Sequence, residues 1–455
     1  MTRELLEKIE RGYVCVLCGY FEKKYKYTYV DRCPVCGGFM IPVINEIPRP
    51  VESQGVWRWS EGLLTPDLST KITLHEANTP MIKSNKIHRK FKIKNLFFKD
   101  ESRNPTGLYI DRGSAVLVSL FKSTGVDTFT VVSTGDLAFS MGVYGKRAQK
   151  MRINVILPSN TLPSKILRIG LIASQISVYD SYEQALRFVD FYYRVRMKIH
   201  KRYFVLSSNP YLMNGYQTIL FEILRDLGKA PDMIVVPFGD GSLMTSLVVL
   251  VERLGLRTKI VGVRSNVSSP VFSEIRIEKP LLREQLEFLM KDSRHEIIEV
   301  SDKLIRESIN SLSREEGLPI DPIGASTLAG LDSMRPYSLG LENVVLVFSG
   351  GGLLSDPVVM KSVIGDLRTD EISLGFMKEK ILEILIGEGS LPAYRIWKNL
   401  REKYGVIVSL RTVYNHLRDL ERMGLVKRST VYDEDLEKTR AVYVVTEEAF
   451  RFLLR

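Results

Sequence analysis

Between about residue 95 and residue 350 the chain repeats one pattern: a short unbroken run of β-branched and aromatic residues, then a stretch of helical periodicity. The runs fall at residues 96–98, 128–132, 153–157, 233–236, 259–263 and 344–348. A strand with one face in water alternates polar and apolar residues, because successive side chains point to opposite sides. These runs do not alternate, so both faces must be covered, and a parallel sheet with helices on each side does that. The expected fold is therefore α/β, Rossmann-like and two-lobed. At 455 residues the chain exceeds one ordinary core and calls for two to four domains.

Glycines punctuate the pattern where a strand run gives way to a helix. Residues 236–242 read Val-Pro-Phe-Gly-Asp-Gly-Ser, and Ser349 opens a run of three glycines. A glycine-rich turn after a strand frees backbone N–H groups to face an anion, helped by the following helix N-terminus. Gly239, Asp240, Gly241, Ser242 and Ser349 are therefore candidate ligand-binding residues.

All four cysteines lie in the first forty residues, as Cys15-Val-Leu-Cys18 and Cys33-Pro-Val-Cys36, each pair followed by glycine. Two knuckles of this spacing bring four thiolates to one structural Zn²⁺ with no position left open for catalysis. Residues 1–45 are read as a zinc ribbon, too small to fold on an apolar core alone. The prolines of residues 47–50 link the ribbon to the α/β region. The sequence shows neither a membrane-length apolar run nor a signal-peptide pattern, so a cytoplasmic address and no membrane partner are expected. The net charge of +11 suits a polyanionic partner without requiring one.

Residues 104–113, Asn-Pro-Thr-Gly-Leu-Tyr-Ile-Asp-Arg-Gly, resemble the cofactor loop of threonine synthases and related fold-type II pyridoxal phosphate (PLP) enzymes. The resemblance spans roughly residues 55–357. It includes Val56-Trp-Arg-Trp59, residues 74–80, Ser133-Thr-Gly-Asp136, Asn209-Pro210, Gly215 to Glu222, and both glycine turns. It implies the fold-type II architecture, PLP phosphate at the turn of residues 239–242, a substrate carboxylate at Ser133, Thr134 and Gly135, and a pyridine-nitrogen partner at Ser349. Archaeal-type threonine synthases often carry a similar amino-terminal ribbon.

Three departures shape the functional expectation. The family has its Schiff-base lysine where this chain has Ile110, and Lys99 matches a family lysine without that role. An isoleucine brings neither an amine for the aldehyde nor a base for the substrate proton. Asp136 stands where an asparagine would donate to the PLP phenolate, and Asp240 lies inside the phosphate turn. Two like charges about 4 Å apart repel by roughly 4 kcal/mol at an effective dielectric near 20. The expectation is a catalytically inactive domain, a pseudoenzyme with PLP absent, whose cleft binds a small amino acid-like effector or which serves to mediate dimerisation.

Beyond residue 375 the pattern is three helices and two strands. Residues 366–375 read as a linker, and residues 376–455 as a winged helix-turn-helix that resembles PadR-like regulators at residues 412–426. Ser409 is placed to cap the third helix, whose Arg411, Thr412, Tyr414, Asn415 and Arg418 fall off its apolar stripe. Lys427, Arg428, Lys438 and Arg440 bring a wing toward a phosphate backbone. With residues 46–365 as the threonine synthase-like domain, the preferred reading is a DNA-binding transcription regulator, a homodimer on double-stranded DNA. The alternatives are an active PLP lyase with an appended DNA-binding domain, or a non-catalytic partner of a true threonine synthase.

Overall fold

The apolar runs become strands in a computed structural model that describes residues 6, 10–22, 32–65, 70–195, 203–266, 275–291, 293–334, 340–350, 376–433 and 438–449. The chain forms two compact units, Met1–Val363 and Ile364–Arg455. In chain order the first unit holds β1 (Gly12–Val14), β2 (Phe21–Glu22), β3 (Ile41–Val43), β4 (Met81–Lys83), β5 (Asn95–Asp100), β6 (Thr128–Val132) and β7 (Arg152–Pro158). Then come β8 (Gln175–Tyr179), β9 (Tyr203–Val205), β10 (Met233–Pro237), β11 (Lys259–Ser265), β12 (Glu296–Val300) and β13 (Asn343–Phe348).

Two sheets make the two lobes. The larger runs β12-β11-β10-β13-β5-β4 and is parallel except at β4, which closes one edge antiparallel. The smaller, β8-β7-β6-β9, is parallel throughout. Every residue of β10 and β13 is buried, which is why those stretches show no alternation. This is a mixed α/β fold, as the sequence pattern requires.

Six helices matter to the site: α1 (Asp111–Ser123), α2 (Asp136–Arg147), α3 (Pro163–Gly170), α4 (Pro210–Leu227), α5 (Ser242–Arg253) and α6 (Pro322–Ser333). The sequence of α4 is that of a central helix: Asn209 Oδ1 accepts from Tyr211 N at 2.9 Å, Pro210 starts it, and Pro210 to Ile223 is buried without a break. It crosses α1 at a glycine pair. A Cβ on Gly113 would lie 2.7 Å from the Leu212 backbone, and one on Gly215 would lie 2.5 Å from Arg112 O. The two backbones touch because neither residue has a side chain.

That crossing carries a buried ion network. Arg112 Nε donates to Glu101 Oε2 at 2.7 Å and Nη1 to Glu222 Oε1 at 2.7 Å. Lys99 Nζ donates to Glu222 Oε2 at 2.7 Å and to Thr79 O at 2.6 Å. All four charged side chains are fully buried. Burial alone would pull the Arg112 pKa down, but the carboxylates of Glu101 and Glu222 outweigh it and hold the guanidinium charged. Burial likewise pushes Glu222 up, and Arg112 and Lys99 together leave it well below the usual carboxylate range. The network fixes the first turn of α1 against β5 and α4.

The amino-terminal sheet, β2-β1-β3, docks on the same helix. Gln217 Nε2 donates to Pro42 O at 3.0 Å, Tyr13 Oη donates to Leu64 O at 2.9 Å, and the Tyr13 and Tyr211 rings meet edge to face. In the second unit, α7 (Phe376–Glu388), α8 (Ala393–Tyr404) and α9 (Leu410–Arg422) precede an antiparallel hairpin of β14 (Val426–Asp433) and β15 (Lys438–Val445). Its core is Ile381, Leu385, Ile396, Leu400, Val413, Leu417 and Leu420. The expected strand run at residues 25–30, the linker at 366–375, the turn at 434–437, Gly351 and Gly352, and the final residues 450–455 lie outside the described residues. Among the described residues no helix is long and apolar enough to cross a membrane.

Arg112→Met would leave Glu101 and Glu222 buried with Lys99 as their only remaining cation. The expected loss is about 3–5 kcal/mol of unfolding free energy, measured by denaturant titration; a loss under about 1 kcal/mol would refute the network's structural weight.

Candidate active site

A cavity opens at the carboxyl ends of both sheets, the position where open parallel sheets present ligand sites. Its wall includes Leu108, Tyr109, Ile110, Ser133, Thr134 and Asp136 from one side, and Gly239, Asp240, Gly241, Asp321, Ser349 and Gly350 from the other. The loop before α1 is held to the end of β13. Tyr109 N donates to Ser349 O at 2.9 Å, and Leu108 bridges Gly350. The loop's own anchor is Asp111, which accepts from Thr106 N at 2.7 Å, Thr106 Oγ1 at 2.6 Å and Ser140 Oγ at 2.6 Å. Burial raises the Asp111 pKa to about 6 against the pull of those hydrogen bonds.

The structure brings most of the expected ligand residues to one wall. Ser133, Thr134, Asp136, Gly239, Asp240, Gly241 and Ser349 all line the cavity, and Ile110 joins them from the position just before α1. Gly135 and Ser242 stand just behind. Gly135, at φ +137°, could not carry a side chain, since its Cβ would lie 2.8 Å from Lys165 Cδ. Ser242 begins α5 and gives its N–H, at 2.8 Å, and its hydroxyl, at 2.7 Å, to Asp240 Oδ1.

Five further residues were given no role in this site by the sequence. Lys165, on the first turn of α3, donates to Asp136 Oδ2 at 3.0 Å, and Arg168 Nη2 lies 3.8 Å from Asp136 Oδ1. Tyr109 and Tyr216 meet edge to face with centroids 4.9 Å apart. Tyr216 is fully buried, and its hydroxyl has no hydrogen-bond partner among the described residues. Burial pushes its pKa well above the ordinary tyrosine value, so it remains a donor. Asp321 caps α6 by accepting from Gly324 N at 2.7 Å. Burial first, and the nearby Asp136 charge after it, raise the Asp321 pKa to about 8.

Two other groupings were expected. The sulfur atoms of Cys15, Cys18, Cys33 and Cys36 lie within 4.8 Å of one another, a set able to hold one metal ion. Gly19 and Gly37 follow each knuckle at φ +77° and +76°. In the second unit Ser409 Oγ accepts from Thr412 N at 3.1 Å at the start of α9. Arg411, Tyr414, Asn415 and Arg418 are exposed on that helix while Val413, Leu417 and Leu420 face the core. Lys427, Arg428 and Arg440 are exposed on the hairpin.

Fold and cavity together define a fold-type II PLP architecture. The sequence profile of the family described as pyridoxal-phosphate dependent enzyme matches residues 72–350, more than half of the chain, and the chain belongs to that family. It is 26% identical over 404 residues to a threonine synthase of Methanosarcina acetivorans, covering 81% of this chain and 98% of that one. It is 27% identical over 387 residues to a threonine synthase of Methanocaldococcus jannaschii, covering 75% and 92%. Among solved structures it resembles a diaminopropionate ammonia lyase from Escherichia coli, with a TM-score of 0.56 at 14% identity over 71% of this chain and 96% of that one. It also resembles threonine deaminase isoform 2 from Solanum lycopersicum, with a TM-score of 0.53 at 16% identity over 71% and 96%. These likenesses to structures establish the fold alone.

The expectation of a DNA-binding transcription regulator built on a catalytically inactive, PLP-free pseudoenzyme is overturned by these findings. The family is one of PLP-dependent enzymes, and the relatives that span most of the chain are threonine synthases. The geometry removes the electrostatic argument that supported the expectation. In sequence Asp136 reads as a bare charge, but in the fold Lys165 and Arg168 neutralise it. Asp240 reads as a clash with phosphate, but its Oδ1 is engaged by Ser242 at the helix N-terminus. The remaining donor set fits PLP: a glycine turn on a helix N-terminus, an unpartnered buried phenol, and Ser349 opposite. Ile110 remains a wall residue without an amine.

Asp111 and Asp321 both have raised pKa values, so ionising them is harder in the folded chain than in the unfolded one. Their contribution to stability is full below about pH 4 and is lost as pH rises, through about 6 for Asp111 and about 8 for Asp321. Asp321→Asn keeps an acceptor for Gly324 and removes the titration. Its melting temperature relative to the native chain is expected to climb between about pH 4 and about pH 8; a constant offset would disprove it.

Proposed function

We propose that the chain is a PLP-dependent lyase of the threonine synthase type with an appended winged-helix DNA-binding domain. The observation that carries the first part is the cavity itself, which gathers anion-binding turns and proton-holding groups within a family of PLP enzymes. Bound PLP supplies an electron sink for a carbanion at the substrate α-carbon. The chain's own residues do the rest. Gly239 and Gly241, at the turn before α5, would hold the phosphate with backbone N–H groups, and Ser349 would offer its hydroxyl to the pyridine nitrogen. Ser133 and Thr134 orient a substrate carboxylate. Asp321 holds a proton at its carboxyl oxygen near neutral pH and is placed on the wall to pass it. Leu108, Leu137, Met244 and Ile323 exclude water from the same space.

Within this reading Ile110 takes the position of the family lysine, and no lysine is among the residues that line the cavity. The small amino acid-like molecule in the cavity is a substrate. The assembly proposed is a cytoplasmic homodimer with no membrane partner. Purified protein supplied with PLP is expected to retain it through dialysis and to release phosphate from a phosphorylated homoserine. Failure of both retention and turnover would sink the proposal.

The four-cysteine cluster is proposed to be a zinc ribbon, supported by the proximity of its sulfur atoms and the positive φ of Gly19 and Gly37. The three helices and hairpin of the second unit are proposed to be a PadR-like winged helix-turn-helix. Arg411, Tyr414, Asn415 and Arg418 on α9 would meet double-stranded DNA, and Lys427, Arg428 and Arg440 its backbone. One preparation tests both modules. Metal analysis should return about one zinc per chain, and Arg418→Ala should weaken retention on DNA while lowering its salt dependence by about one phosphate contact. Metal-free protein that stays folded would refute the ribbon, and salt-independent or absent retention would refute the DNA contact.

A further inference from the structure

We infer that the basic segment from Lys83 to Lys94, on the first unit, is a docking surface for the phosphate backbone of duplex DNA. It is separate from the cavity, and the residues proposed to read DNA belong to the second unit. The segment holds Lys83, Lys86, Arg89, Lys90, Lys92 and Lys94, with His88 among them and no acid.

The fold displays these cations on a fixed backbone. Ile87, Phe91 and Ile93 are buried in the core beside the larger sheet, and all six lysine and arginine side chains are exposed. Glu316 ties the backbone from within. It accepts from Ser84 Oγ at 2.7 Å, Asn85 N at 2.8 Å, Lys86 N at 3.0 Å and Ile87 N at 2.8 Å. Those bonds engage the carboxylate with the segment's own main chain, so little ordering remains to be done when a partner arrives.

The charge on this surface is left uncompensated. Exposed helices elsewhere in the unit set an acid one turn from the cation: Arg187 with Glu183 at 3.1 Å, Arg283 with Glu287 at 2.7 Å and Lys303 with Glu307 at 4.0 Å. Lys83, Lys86, Arg89 and Lys92 make no ion pair among the described residues. Lys90 reaches Asp332 at 3.3 Å, and Lys94 and Lys229 share Glu342 at 3.7 and 4.0 Å. Exposed pairs of that kind contribute little and exchange readily for a phosphate. A face that only needs water is served by mixed signs; a run of one sign repels itself until a polyanion relieves it.

The exposed side chains also select among polyanions. They include no aromatic ring and no aliphatic group. The surface therefore lacks the stacking platform that unpaired bases use and the apolar anchor that a membrane surface takes. Point charges on a fixed backbone suit the regular phosphates of a duplex, contacted without regard to sequence.

The test uses the full chain and a random-sequence duplex, with the dissociation constant read across a series of salt concentrations. One variant combines Lys86→Gln, Arg89→Gln and Lys92→Gly. Its log–log salt slope should fall by roughly 0.9 for each cation removed. Lys92 sits at φ +54°, a left-handed conformation that suits glycine better than lysine. Lys92→Gly alone should therefore melt at or near the native temperature while losing one such step, which separates binding from folding. A control combining Arg187→Gln, Arg283→Gln and Lys303→Gln removes the same charge from paired positions and should leave the slope nearly unchanged. An equal fall in both triple variants would show an effect of total charge and overturn the inference. An unchanged slope in the first variant, with Arg418→Ala still lowering it, would overturn the inference and leave the second unit's DNA contact standing. No retention of the duplex by the native chain would overturn both. If the first variant lost binding to phosphatidylserine vesicles but kept its full affinity for the duplex, the surface would be one for lipid instead.

Discussion

The Arg112 guanidinium, clamped between Glu101 and Glu222, is the contact on which the site's geometry depends. It joins three elements that are far apart in sequence: the end of β5, the first turn of α1 and the middle of α4. Such a group is expensive to bury, and it is tolerated only because nearly every donor has a partner. Nε and Nη2 go to Glu101, and Nη1 and Nη2 go to Glu222, with Thr79 and Thr218 completing the set. The glycine pair Gly113 and Gly215 lets the two helices approach close enough for that geometry. Because Arg112 lies two residues beyond Ile110, the same clamp sets where the cavity wall begins.

From that anchor the loop of residues 104–110 has little freedom. Asp111 ties its start, the bridge from Leu108 to Gly350 ties its middle, and the bond from Tyr109 N to Ser349 O ties its end. The two lobes therefore meet around a cavity whose polar groups come from strand ends rather than from long mobile side chains. The buried Tyr216 hydroxyl is one exception to full satisfaction on this wall among the described residues. An unpaired buried hydroxyl costs about 1–3 kcal/mol, a cost that a polar ligand would relieve.

Much of this was legible in the sequence. The runs that became β5, β6, β7, β10, β11 and β13 are buried on both faces and so carry an uninterrupted apolar signal. The strands that gave no such signal are the edges. Both β8 and β12 place exposed or half-exposed residues along most of their length, and β12 reads Glu-Ile-Ile-Glu-Val, which suits a charged sheet edge better than a core. The glycine turns and the cysteine knuckles were legible because glycine and cysteine have few other reasons to recur at those spacings. Tyr216 and Asp321 were not, since each is an ordinary residue of an ordinary helix or turn until the fold brings it to the cavity, and Lys165 was not because only the fold sets it beside Asp136.

The same distinction explains why the functional expectation went wrong. A sequence shows a charge but not its partner, so Asp136 and Asp240 look like two uncompensated anions beside a phosphate site. In the folded chain one is neutralised from α3 and the other is absorbed at the start of α5. An attraction between opposite charges about 3 Å apart is as large as the repulsion expected from the sequence, and of opposite sign. Two aspartates that seemed to empty the site are thus compatible with an anionic cofactor in it. The charge that matters is the sum over the wall, and α3, far from the cofactor loop in sequence, supplies the cations that set its sign.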